Sequence, residues 1–104
     1  MDNFKVIYKF LKYLESALDF EEHDKERLKG GFYGVSDERF NSIIEMLYND
    51  GYIQGLVIKR YTDGGSLVKV DKVKITLKGL EYLEENSMMR KIANAVKGIV
   101  DVIS

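Results

Sequence analysis

Between Ser36 and Leu83 the spacing of the apolar residues passes from helical to strand-like and back, and this ordering limits the fold more than any other feature of the chain. Phe40, Ile43, Ile44 and Leu47 fall at i, i+3, i+4 and i+7, the spacing of one helix face. Ser36 precedes them as an N-cap residue. Asn49-Asp50-Gly51 closes the helix, because glycine takes the left-handed conformation just past a helix end. Tyr52-Ile53 and Leu56-Val57-Ile58 then read as a strand, Asp63-Gly64-Gly65-Ser66 as a tight turn, and Leu67-Val68 with Val73-Lys74-Ile75 as the returning strand. Thr76 caps a last helix carrying Leu77, Leu80 and Leu83. This order is the second half of a winged helix-turn-helix. The expected fold class is therefore α+β and mostly helical, with a small antiparallel hairpin as the wing. It forms one domain over residues 1–104, in which 86–104 is an added C-terminal helix on a core of 1–85. Such an architecture most often binds duplex DNA, although a fold does not by itself license a function.

The first helix is expected from about Asn3 to Leu18. Phe4, Ile7, Leu11, Leu14 and Leu18 make one apolar line and Val6, Phe10, Tyr13 and Ala17 a second. Lys5, Lys9, Lys12 and Ser16 share the one polar stripe. A helix that is apolar around most of its circumference is buried on more than one side. Asp19 to Lys29 is highly charged and reads as a loop, with at most a short strand near Arg27-Leu28. Gly30 to Val35 is where a short second helix would stand, weakened by its glycines and anchored by Phe32 and Val35. In the tail, Met89, Ile92, Val96, Ile99 and Ile103 step by three and four. They form a narrow seam that needs a surface to lie on, either helix 1 of the same chain or helix 1 of a second copy in a homodimer.

Composition removes several classes of function. The chain has 104 residues, enough for one core, and no cysteine, which excludes disulfides and thiolate chemistry. No run of about 18 apolar residues marks a membrane span, and the N-terminus lacks a basic region followed by an apolar block, so a cytoplasmic protein without a membrane partner is expected. His23 is the only histidine and falls in the charged, loop-like segment. Glu21, Glu22, Asp24 and Glu26 lack the spacing of a calcium loop, and neither Gly30-Gly31 nor Gly64-Gly65 leads into a phosphate-binding motif. Neither an enzyme nor a cofactor is expected.

Charge is uneven. The net charge of −1 combines seven basic and eleven acidic residues in 1–52 with nine basic and six acidic in 53–104. Between positions 59 and 78, Lys59, Arg60, Lys69, Lys72, Lys74 and Lys78 stand against only Asp63 and Asp71. Lys59, Arg60, Lys69, Lys72 and Lys74 are thus candidates to follow a phosphate backbone or to lie in a minor groove, or residues that protect an open hairpin edge from pairing. On the helix after Ser36, the face opposite the apolar one is Glu38, Asn41, Ser42, Glu45 and Asn49, with Arg39 on its flank. Arg39, Asn41 and Ser42 are the candidates nearest the bases. Glu38 and Glu45 would be repelled by phosphate, whose neutralisation supplies most of the affinity of ordinary DNA binders. Two functions follow: a DNA-binding, regulator-like module, or a winged helix whose acidic face meets another protein. Of the tyrosines, only Tyr61, beside Lys59-Arg60, suits stacking on bases.

Gly34-Val35-Ser36-Asp37-Glu38-Arg39-Phe40, Ile43-Ile44-Glu45-Met46-Leu47, Asp50-Gly51-Tyr52-Ile53 and the run Ile75-Thr76-Leu77-Lys78-Gly79-Leu80-Glu81-Tyr82-Leu83-Glu84-Glu85-Asn86 resemble the YjcQ-like small proteins of Firmicutes and their phages. The likeness covers nearly the whole chain. It implies a winged-helix fold and a bacterial or prophage origin, and no defined activity. One departure is local: Lys29-Gly30-Gly31 stands where that family has a hydrophobic residue at the start of the second helix.

Overall fold

A computed structural model describes residues 3–86. Helix α1, Asn3–Ala17, buries Val6, Phe10, Leu11, Leu14 and Ala17 and packs against the last helix and the last strand. The two apolar lines expected on α1 are only partly used. Leu11 and Leu14 of the first line are buried, whereas Phe4 and Leu18, at the two ends of the helix, are 69% and 50% exposed.

The segment after α1 is more ordered than its charge suggests. His23, expected in a loose acidic loop, bridges two distant elements. Its Nε2 lies 2.5 Å from the Val73 carbonyl oxygen and its Nδ1 3.2 Å from the Tyr13 hydroxyl, which also accepts the Asp24 N–H at 2.7 Å. One tautomer satisfies every partner: Nε2–H donates to Val73, and Nδ1 accepts the Tyr13 proton. Asp24 then caps a 3-10 turn, Lys25–Leu28, by accepting from the Glu26 N–H, so Arg27-Leu28 is not a strand. The short second helix is a single 3-10 turn, Gly30–Tyr33, closed by left-handed Gly34. Its core anchor is Tyr33, not Phe32. Residues three apart eclipse on a 3-10 turn, so Gly30 and Tyr33 face inward together while Phe32 is half exposed under the Arg27 guanidinium. Burial pushes the Tyr33 phenol well above its ordinary range, and its hydroxyl donates to the Arg27 carbonyl at 2.8 Å.

Helix α2 spans Asp37–Asn49, with Ser36 accepting the Arg39 N–H as N-cap and Phe40, Ile43, Ile44 and Leu47 buried. Phe10, Tyr33 and Phe40 make the aromatic centre of the core. Phe10 meets Phe40 edge to face at 5.3 Å, and Tyr33 stacks on Phe40 at 5.4 Å. Such pairs add about 0.5–1.5 kcal/mol each beyond their buried area.

The hairpin that follows is divided into two ladders. Strand β1 (Ile53–Gln54) pairs antiparallel with β4 (Lys74–Ile75), and β2 (Val57–Arg60) with β3 (Ser66–Lys69). The continuous strand expected over 52–58 is broken at Gly55, which has φ +83° and sits so close to the Lys72 carbonyl that no Cβ fits. Opposite it the returning strand turns between Val70 and Val73, held by the Val73 N–H to Val70 carbonyl bond, and Val73 is fully buried.

Helix α3, Leu77–Asn86, begins at Thr76, whose hydroxyl accepts the Gly79 N–H. Gly79 and Leu83 set its buried line, and Leu77, more than half a helical turn from Gly79, is 72% exposed and no part of the core. Lys78 closes the end of α2 by donating to the Asp50 carbonyl at 2.7 Å. Its ammonium also lies 4.7 Å from the centre of the Tyr52 ring. Among the described residues no buried side-chain polar atom lacks a partner.

Candidate functional site

The exposed side of α2 and the adjoining hairpin carry the candidate interface, and local folding decides which side chains reach solvent. On α2, burial of Phe40, Ile43, Ile44 and Leu47 turns Glu38, Arg39, Asn41 and Ser42 outward. Arg39 leans toward the start of α1, where its guanidinium donates to Asn3 Oδ1, 2.9 Å away. Arg39 and Ser42 line a shallow hollow with Asn3, Ser36, Glu38 and Met46. Asn41 stands one turn before Glu45 on the same helix row. Glu45 meets the Arg60 guanidinium at 3.7 Å.

In the β2–β3 ladder, Val57 lies opposite Lys69 and Lys59 opposite Leu67, while Ile58 lies opposite Val68 and Arg60 opposite Ser66. Side chains alternate across a strand, so the ribbon has two unlike faces. The inner face carries Ile58 and Val68, packed on the core, and Arg60, paired with α2. The outer face carries Lys59 and Lys69 with Val57 and Leu67, all exposed. Tyr61, two residues past Lys59, is 53% exposed. At the tip the Asp63 carboxylate is turned back to accept the Gly65 N–H at 2.9 Å.

The five hairpin cations predicted from the sequence therefore do not form one patch. Lys59 and Lys69 share the outer face. Arg60 is on the inner face against Glu45. Lys72 and Lys74 lie at the hairpin base, lining a hollow with Leu18, Phe20, Glu21 and His23 beyond the end of α1. Lys59, Lys69, Lys72 and Lys74 have no acidic partner within 4.0 Å among the described residues. Sequence reasoning passed over the apolar part of the outer face, Val57 and Leu67. Val57 and Leu67 each lie one residue from inner-face Ile58 and Val68 and two residues from Lys59 and Lys69, so strand alternation places both with the lysines. The tail seam of Met89, Ile92, Val96, Ile99 and Ile103 lies outside the described residues.

Among the described residues no group of three or more His, Asp or Glu side chains could hold a metal ion, and no helix is long and apolar enough to cross a membrane. These elements define a small, mostly helical α+β protein with one divided antiparallel hairpin. The chain belongs to the YjcQ protein family, whose model matches residues 8–102. No curated protein and no solved structure matches it.

Proposed function

We propose that the chain is a winged-helix, non-enzymatic module that binds duplex DNA, with the hairpin as its wing and lysine-to-phosphate contacts as its main source of affinity. The order of α1, a 3-10 turn in the place of the second helix, α2, hairpin and α3 supports the winged-helix reading. The observation that carries the binding is the set of hairpin lysines, Lys59, Lys69, Lys72 and Lys74, exposed and without an acidic partner among the described residues. A cation already paired with a carboxylate has little to gain from a phosphate, whereas an unpaired one releases counterions on contact.

The test is retardation of duplex DNA by the wild-type protein and by Lys69→Glu with Lys72→Glu. The reversals abolish retardation, and wild-type affinity falls steeply as salt is raised. Binding that survives both reversals unchanged removes the wing from the interface.

A second reading, docking to another protein, draws on a specific observation. Glu38 is exposed on α2, Met46 on the same helix is 54% exposed, and Arg39 is drawn back to Asn3. A face of this kind suits a basic protein surface better than it suits a polyanion. Retention of a basic protein partner by wild type, and its loss in Glu38→Lys, would favour that reading.

A further inference from the structure

Resting on the DNA-binding reading, we infer that the outer face of the β2–β3 ribbon, Val57, Lys59, Tyr61, Leu67 and Lys69, is the element that enters a groove of the duplex, while α2 stays outside it. The usual expectation for this element order is the reverse, a helix in the major groove and a wing at its flank. A major groove admits either an α-helix or a two-stranded β-ribbon, so the choice falls to the side chains each element presents.

Helix α2 presents unfavourable ones. Glu38 and Asp37 are exposed in its first turn. Glu45 holds Arg60, and Arg39 is held by Asn3. Each guanidinium that could bridge to phosphate or to guanine thus has a competing partner within the protein. Asn41 and Ser42 remain, flanked by carboxylates that phosphate repels.

The ribbon presents the opposite. Its register sets Lys59 beside Leu67 and Val57 beside Lys69 across the two strands. Lysine and aliphatic side chains thus alternate both along each strand and between strands. The two lysines are diagonal neighbours, with Cα atoms on the order of 7–8 Å apart. Within the paired strands the outer face holds no carboxylate; the Asp63 carboxylate at the tip accepts the Gly65 N–H, and Asp71 lies beyond the end of β3. Val57 and Leu67 are 42% and 40% exposed, an arrangement suited to sugars and to thymine methyl groups at a groove wall.

The experiment measures binding of the full chain to a fluorescein-labelled random-sequence duplex by anisotropy, across a series of salt concentrations. The variants are Lys59→Gln with Lys69→Gln, Leu67→Ser, and Asn41→Ala with Ser42→Ala, each checked for its circular dichroism melting curve. The lysine pair lowers affinity at least about tenfold at low salt and reduces the slope of log K against log salt by about 1.8, two phosphate contacts' worth. Leu67→Ser lowers affinity and leaves the slope unchanged, because its contact is apolar. The α2 pair changes affinity less than about twofold. If wild type binds and the α2 pair abolishes binding while the ribbon variants do not, the ribbon assignment is overturned and the DNA-binding function stands. If wild type shows no binding at low salt, both fall together.

Discussion

Gly30 and Gly31 are adjacent glycines in the same 3-10 turn, yet their surroundings predict opposite responses to alanine. A Cβ built on Gly30 would lie 2.7 Å from the Ser36 carbonyl oxygen, 2.8 Å from that of Val35 and 3.0 Å from Phe40 Cβ, whereas one on Gly31 meets nothing within 4 Å. The Gly30 neighbours are two backbone oxygens and the root of a core phenylalanine, none of which swings aside as a side-chain end would. Relief means moving the turn away from the start of α2 by several tenths of an ångström, with Tyr33 carried off Phe40. Overpacking of this kind costs about 1–3 kcal/mol. At about 4–8 °C per kcal/mol for a domain of this size, Gly30→Ala should melt roughly 4–24 °C below wild type. Gly31→Ala should match wild type or exceed it by about 0.4–1 kcal/mol, because alanine restricts the unfolded chain more than glycine does. The assay is thermal and urea unfolding followed by circular dichroism, with the urea slope checked for constancy. Equal melting temperatures for the two variants would refute the close packing of the turn on α2.

Two further outcomes follow from the same geometry. Tyr33→Phe loses the hydroxyl bond to Arg27 and should cost about 0.5–1.5 kcal/mol at neutral pH. Because burial raises the Tyr33 phenol in the folded state, the unfolded chain ionises first. Stability is then complete below about pH 10, the unfolded value, and declines as pH rises above it. The deficit of Tyr33→Phe relative to wild type should therefore shrink above that pH, and a deficit that stays constant to strongly alkaline pH in paired melting curves would contradict this. Glu45→Gln frees Arg60 at the cost of an exposed pair worth about 0–1 kcal/mol. It should melt near wild type and bind duplex DNA several-fold more tightly, with the salt slope steeper by up to about 0.9 for one added phosphate contact; unchanged affinity in anisotropy would argue that Arg60 has no access to the DNA.

Helix α2 was legible in the sequence because cap, period and terminating glycine all agree. Ser36, the four buried residues and the Asn49-Asp50-Gly51 end sit where a local pattern puts them. Other features obey periods or partners that no window reveals. Tyr33 replaces Phe32 in the core because a 3-10 turn repeats every three residues, and Gly30 fixes the phase. Gly55, after Ile53-Gln54 and before Leu56-Val57, hints at a strand break, but the cause is the Lys72 carbonyl across the hairpin. The candidate site followed the same division. The sequence picked out the cations, but their grouping is tertiary: Arg60 goes to Glu45, Arg39 to Asn3, and Lys72 and Lys74 to the hairpin base. Strand alternation could have shown that Lys59 and Lys69 share a face with Val57 and Leu67, once the register was known. His23 looked idle because its partner, Val73, is fifty residues away.

The most direct test of the central claim, that unpaired hairpin lysines make this chain a duplex-DNA binder, is the anisotropy of a labelled random-sequence duplex titrated with purified wild-type protein at low and at physiological salt. The account predicts binding in the micromolar range at low salt that weakens steeply as salt rises. No binding even at low salt would contradict it and would leave the exposed carboxylates of α2, facing another protein, as the feature that governs function.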